Sequence, residues 1–271
     1  MNKFSGMLLA SDYDGTFVND NGEIPSNNID AIRYFISEGG RFTINTGRSK
    51  QGFYAYNKEL MNAPILLANG GMAYDYGTEK IVFTEGMDGE NIINFLNRTA
   101  RIYPTVSIEI YSDKFNSFVV HPNELTTLHF DWLRLDYIST DSISEAEFPA
   151  VKIMIGAGKE LSAPFQKYLS ENLPEGIRHI KTEGEYIELL STKAGKGNGN
   201  LHLADSLGIS RDRVFSVGDG SNDVDMLKSA AWSFVPKNGE RLAKNAAKTV
   251  VCSNNDGAIA NVIEEIERMY C

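Results

Sequence analysis

The chain has 271 residues, 42% of them hydrophobic and 23% charged, which suits one large domain or two modest ones and excludes a disordered tail, a collagen-like fibre and a coiled coil. Twenty-six basic against 36 acidic residues give a net charge of −10, which argues against nucleic acid as a partner. The longest wholly apolar stretch, Ala63 to Ala68, is far short of the roughly 20 residues that span a bilayer, so no membrane partner is expected either.

In chain order, Met7 to Ser11 is an apolar run that predicts a buried parallel strand. A polar stretch, Asn19 to Pro25, leads to Ser26 as a helix N-cap, with Ile29, Ile32, Phe35 and Ile36 at helical spacing and Gly39-Gly40 as the stop. Phe42 to Asn45 is the next predicted strand, and Ile65 to Asn69 a third after an intervening helix. From about Glu85 to Leu190 the character changes. Strands with alternating faces (Ser107 to Tyr111, Ser117 to Val120, Val151 to Ile155, Tyr186 to Leu190) are separated in places by helices near Gly89 to Arg101, Glu124 to Leu133 and Ala163 to Asn172. The first pattern then returns: helix Leu201 to Leu207, strand Arg213 to Val217, helix Val224 to Ala231, short strands at Ser233 to Val235 and Thr249 to Val251, and a final amphipathic helix through Ile259, Val262, Ile263 and Ile266. Strands alternating with helices predict an α/β fold with a doubly wound parallel core. Residues 1–84 and 191–271 form that core, and 85–190 an inserted α+β unit. No signal peptide is legible before Asp12, and Cys252 and Cys271 read as reduced thiols of a cytoplasmic protein.

Four polar clusters carry the chemistry. Asp12-Tyr13-Asp14-Gly15-Thr16 directly follows the first strand, at the edge where open α/β sheets bind ligands. Residues two apart on a strand point the same way, so Asp12 and Asp14 project together. Two carboxylates this close repel unless a cation or a shared proton compensates, although an acidic turn can also be merely solvated. Gly218-Asp219-Gly220-Ser221-Asn222-Asp223 follows a later strand. It aims Asp219 into the same crevice, unless Asp219 is an ordinary loop carboxylate, and leaves Asp223 able to cap the next helix. Thr46-Gly47-Arg48 offers a hydroxyl and backbone amides to an anion. Lys196 lies in a glycine-rich loop that lacks Walker A spacing, and a lone lysine there is usually solvated.

Together, in this order and placement, the clusters resemble the haloacid dehalogenase (HAD) superfamily, whose phosphatases use Asp-x-Asp-Gly-Thr, a Thr or Ser after the second strand, a Lys, and Gly-Asp-x-x-Asn-Asp. The subgroup most similar is the Cof-like one, with an inserted cap of the C2B type. Asp225-Met226-Leu227 and Asn255-Asp256-Gly257-Ala258 also look like it. The resemblance implies a Rossmann-like HAD core with 85–190 as a substrate-specificity cap, and a phosphatase of small phosphorylated metabolites, chiefly sugar phosphates. It implies Asp12 as nucleophile, Asp14 as general acid and base, and Thr46, Gly47, Lys196 and Asn222 on the phosphoryl group. Mg²⁺ is the implied cofactor, held by Asp12, the Asp14 carbonyl and Asp219, with Asp223 at the metal either as a direct ligand or by orienting metal-bound water or Lys196. A phosphotransferase or phosphosugar mutase on the same site, and a non-catalytic phospho-ligand module, are the alternatives; the paired Asp12 and Asp14 speak against the last. Two departures stand out: Lys193-Ala194-Gly195-Lys196-Gly197 before the lysine helix, where Gly197 favours Lys196 over Lys193, and Val235-Pro236-Lys237-Asn238-Gly239 where the family has Val-Ala-Met-Gly-Asn-Ala. For the leaving group, Tyr111, His121, Glu183, Glu185 and Tyr186 are the polar cap residues on offer. The oligomeric state is not legible.

Overall fold

The structure is a computed structural model that describes residues 2–53, 58–181 and 185–270. It divides into two compact units: Met1–Gly47 with Ala55–Phe83 and Gly195–Cys271, and Arg48–Tyr54 with Thr84–Ala194.

The first unit is built on a five-stranded sheet in the order Thr249–Val251, Trp232–Pro236, Val214–Val217, Leu8–Ser11, Arg41–Ile44, every pairing parallel. The Leu8–Ser11 strand is buried at every position, as a strand covered on both faces must be. Alternation sends Leu8 and Val214 into a cluster with Leu203 and Ala204 of the Lys196–Ser206 helix. Phe215, one residue on, meets Tyr270 of the Ala258–Tyr270 helix on the other face. That is the doubly wound arrangement. The register pairs Ser11 with both Ile44 and Val217, so Asp12, Asn45 and Gly218 leave the sheet side by side at its carboxyl edge.

Some elements differ from the sequence reading. Between Arg41–Ile44 and Ile65–Leu67 the described residues hold only a short 3₁₀ turn, Lys58–Leu60. Ile65–Leu67 belongs to a separate three-stranded sheet with Met72–Asp75, its antiparallel partner, and Lys80–Thr84. A single parallel bridge, Asn45 to Leu66, connects it to the main sheet. Ser26 is the first helical residue rather than the cap, which is Pro25, a shift within the usual fraying of helix ends.

The second unit has a six-stranded sheet in the order Ile177–Lys181, Tyr186–Ser191, Ala150–Gly156, Ser107–Ser112, Ser117–Val120, Ile138–Thr140. Its pairings are antiparallel except the last. One face (Ile108, Ile110, Ile153, Ile155, Ile187, Leu189) packs on Phe95 and Leu96 of the Glu90–Ile102 helix and on Phe165 and Leu169 of the Gly158–Asn172 helix. The other carries Glu109 and Tyr111, met by His129 and Phe130 of the Glu124–Leu133 helix. Among the described residues no helix is long and apolar enough to cross a membrane.

Candidate active site

Asp12 continues the central strand by one residue, its N–H donating to the Val217 carbonyl at 2.9 Å. The chain then winds through a tight turn, Tyr13–Phe17, in which Gly15 adopts φ +77°. A side chain is excluded there twice over. The left-handed backbone disfavours a Cβ, and an ideal Cβ would lie 2.5 Å from Asp219 Oδ2. That close approach lets Thr16 Oγ1 donate to Asp219 Oδ1 at 2.6 Å. Asp223 is fully buried, and its Oδ2 accepts the Gly220 N–H at 2.8 Å. The sequence left capping open for Asp223. Its carboxylate makes no cap bond to the helix that follows and turns its other oxygen inward.

Lys196 begins the Lys196–Ser206 helix, and its side chain is buried. Its ammonium lies 2.5 Å from Asp12 Oδ1 and 2.6 Å from Asp223 Oδ1. The helix start is fixed by backbone packing, since a Cβ on Gly199 would come within 2.8 Å of the Gly70 Cα. Polar ties complete it. Asn45 Nδ2 donates to the Lys196 carbonyl at 2.9 Å and to Asn200 Oδ1 at 2.7 Å, and the Gly197 N–H donates to Asp225 Oδ2 at 3.1 Å. Lys193, the other sequence candidate, is exposed.

Burial pushes the Asp12 carboxyl well above the usual range; Lys196 opposes this, and Asp223 and Asp219 add to it. Asp219 is raised too, mainly by burial. Burial lowers Lys196, but Asp12 and Asp223 outweigh it and hold the group above the ordinary lysine value. The Lys196 ammonium, wedged between two carboxylates at these distances, stays charged. Asp12 is raised first by its burial and then by the two neighbouring carboxylates, with the Lys196 ammonium working against both. Oxygens of Asp12, Asp219 and Asp223 all lie within 4.8 Å of one another, so this hard-oxygen set fits a small divalent cation, whose charge would bring the carboxyls back to the ionised form.

The other sequence candidates are arranged around this centre. The Asp14 carboxylate is exposed and outside the triad; the ligand expected from this residue was its backbone carbonyl. Thr46 is buried, its N–H donating to the Leu66 carbonyl at 2.9 Å. Gly47 packs against the side chain of Asn69, and Asn69 Oδ1 accepts from Asn222 Nδ2 at 3.4 Å. Asn69 therefore links two predicted phosphate-binding residues, and nothing in its tripeptide context announced it. Thr16 and Asn238 lie in stretches the sequence singled out, but neither was given a role of its own there, and Asn45 was read only as the end of a strand. Asn238 Nδ2 donates to the Gly15 carbonyl at 2.8 Å.

In the second unit Tyr111 is not a surface group: it is fully buried, and its hydroxyl donates to Glu109 Oε2 at 2.9 Å. Tyr186 spends its hydroxyl on the Leu125 carbonyl. His121 is half-buried at φ +53°, Glu185 is half-buried, and Glu183 lies outside the described residues. Cys252 is a free thiol raised by burial; Cys271 also lies outside the described residues.

The sequence profile of the haloacid dehalogenase-like hydrolases matches residues 9–263, and the chain belongs to that family. It is a HAD-superfamily phosphatase of the Cof-like kind. The 5-amino-6-(5-phospho-D-ribitylamino)uracil phosphatase of Escherichia coli is 26% identical over 264 residues, covering 96% of this chain and 95% of its own. A haloacid dehalogenase-like hydrolase from Bacteroides thetaiotaomicron superposes with a TM-score of 0.81 at 24% identity, covering 96% of this chain and 99% of that one. A structure described as a HAD subclass IIB sugar phosphatase gives 0.80 at 21%, covering 96% and 98%.

Proposed function

We propose that the protein is a Mg²⁺-dependent phosphatase of small phosphorylated metabolites, chiefly sugar phosphates, acting through an aspartyl-phosphate on Asp12. The observation that carries this reading is the buried Lys196 ammonium held against Asp12 and Asp223. It orients one carboxylate at the sheet edge and favours its ionised form, the form a nucleophile requires. An Asp12 oxygen attacks phosphorus, and the bond from phosphorus to the leaving oxygen breaks. Asp14, protonated, gives that oxygen its proton. The carboxylate so formed takes a proton from water as the water attacks the same phosphorus, which releases phosphate and restores Asp12. Thr46 and the Gly47 amide donate to phosphoryl oxygens, Lys196 places its charge beside them, and Asn222 orients the group. Asp12, the Asp14 carbonyl, Asp219 and Asp223 would hold Mg²⁺, which when bound neutralises charge on the transferring group.

A sugar or ribityl phosphate presents a polyhydroxylated leaving group, and the names of two similar proteins share that feature. The same proposal gives residues 85–190 the choice of substrate, with His121, Glu183 and Glu185 as the positions to substitute. A phosphate-release screen over sugar phosphates, nucleotides and pyridoxal phosphate, with and without Mg²⁺, tests the reading. Sugar phosphates should lead, turnover should need Mg²⁺, and Asp12→Asn should lose several orders of magnitude while the fold is retained. Turnover of the variant within tenfold of the parent would remove Asp12 from its role. Repeating the assay with a second sugar present separates release of phosphate from its transfer.

A further inference from the structure

The turn between the Trp232–Pro236 strand and the Arg241–Ala246 helix reaches both acidic motifs. The Gly239 N–H closes it on the Pro236 carbonyl, and the Glu240 N–H donates to the Asp219 carbonyl, each at 2.8 Å. Within it, Asn238 uses both ends of its amide. Nδ2 donates to the Gly15 carbonyl at 2.8 Å, and Oδ1 accepts the Asn254 N–H at 3.0 Å. A carbonyl can only accept and an N–H only donate, so the partners fix which way the amide points.

Asn254 is a firm anchor. It is fully buried, and its Nδ2 donates to the Val18 carbonyl and to Asp20 Oδ1, both at 3.1 Å. Beside it, Asn255 and Asp20 bond in both directions, at 3.0 and 2.9 Å, and Asn27 Nδ2 donates to the Asp256 carbonyl at 2.9 Å. The Asn255-Asp256-Gly257 stretch, which the catalytic assignment leaves unused, thus frames the nucleophile turn from outside.

Gly15 is the weak point of that turn, because glycine has the widest backbone freedom of any residue. If its carbonyl swings, the adjoining peptide swings too, and the direction of Asp14 changes with it. Asp12 is independent of this, being held by the strand and by Lys196. We propose that Asn238 is a positioning residue for Asp14: by pinning the Gly15 carbonyl it sets the direction in which Asp14 delivers its proton to the leaving oxygen.

The inference rests on the assignment of Asp14 as general acid, and the test separates the two. An alkyl leaving group such as a sugar hydroxyl needs that proton, whereas p-nitrophenolate leaves without it. The value of kcat/KM reports steps up to transfer onto Asp12, before Asp14 acts a second time. A general acid contributes about 10²–10⁴-fold, and Asn238→Ala should forfeit part of that. At saturating Mg²⁺, kcat/KM for the best sugar phosphate should fall about tenfold, with p-nitrophenyl phosphate within about twofold. Asn238→Asp keeps the acceptor for Asn254 but loses the donor to Gly15, so it should shift the ratio at least as far. Asn255→Ala breaks the Asp20 pairing without touching Gly15, so it should lower Tm and leave the ratio alone. An equal fall on both substrates, or a parental ratio in Asn238→Asp, overturns the proposal. If Asp14→Asn moves the ratio and Asn238→Ala does not, only this inference fails; if Asp14→Asn leaves it unmoved, the acid assignment fails and takes the inference with it.

Discussion

Replacing Lys196 by Met removes the ammonium held against Asp12 and Asp223 and keeps an unbranched apolar stem. Asp12 and Asp223 are then left facing each other in a site where both are buried. Removing one partner of a buried ion pair costs about 3–5 kcal/mol. Proton binding sets an independent ceiling, since a stranded carboxylate can neutralise itself. At pH 7 that costs about 1.36 × (7 − 3.9), or roughly 4 kcal/mol, and at pH 5 only about 1.5 kcal/mol. The sign follows: the folded-state pKa of that carboxyl lies above its unfolded value, so stability is intact below about pH 4 and declines as pH rises. Scanning calorimetry in a chelator should show Tm lowered by about 8–16 °C at pH 7, at about 2–4 °C per kcal/mol for a unit of this size. The deficit should shrink to about 3–6 °C at pH 5. Adding Mg²⁺ at about 100 times its dissociation constant should return about 2.7 kcal/mol. A Tm within 2 °C of the parent at pH 7, or a deficit equal at both pH values, would refute the electrostatic account.

Gly15→Ala forces a Cβ against Asp219 at a left-handed position. It should cost about 1–3 kcal/mol and raise the Mg²⁺ needed for half-maximal activity, read by metal titration of phosphate release. Tyr111→Phe takes a donor from the fully buried Glu109, whose Oε1 has no hydrogen-bond partner among the described residues and whose Oε2 retains His129 at 2.7 Å. Denaturant unfolding should show a loss of about 1–3 kcal/mol. The amides of Asn255 and Asn254 hold the exposed Asp20 carboxyl below its usual range. Its contribution is therefore present above about pH 4 and lost as pH falls through the lowered value. Asp20→Asn should flatten the acid limb of Tm against pH and leave an offset that is constant above pH 5.

The central strand, the Gly218–Asp223 loop and the final helix were legible because each combines an apolar period with a turn signal at its end. The strands Met72–Asp75 and Lys80–Thr84 were not. Lys80–Thr84 is exposed or half-buried throughout, so it shows no buried face to read. Ile138–Thr140 was hidden in the same way, with two of its three residues exposed. Tyr111 was read as polar surface because its ring and hydroxyl look amphipathic in one dimension. Only the Glu124–Leu133 helix, arriving from further along the chain, seals it beneath Phe130. At the acidic centre, the residue types of Asp12, Lys196 and Asp223 suggested chemistry, but the spacing of Lys196 from Asp12 carries no periodic information. The supporting amides were invisible for a related reason. Asn45, Asn69 and Asn238 act on groups brought from distant segments, and a single Asn in a loop reads only as a turn former.

The parallel core has a consequence for synthesis on the ribosome. Leu8–Ser11 is hydrogen-bonded to Arg41–Ile44 on one side and to Val214–Val217 on the other, and about 170 residues of chain separate those two neighbours. At about 5–20 residues per second the second neighbour emerges roughly 10–35 s after the first. During that interval the run Leu8-Leu9-Ala10 offers an unpaired apolar edge to any other nascent strand. The unit spanning Thr84–Ala194 draws its six strands from within itself, so it is complete before translation reaches Lys196. The acidic pocket comes together later than that unit, and a chain stalled before Val214 has the residues of all six strands, Asp12 and Lys196, but neither Asp219 nor Asp223 to meet them.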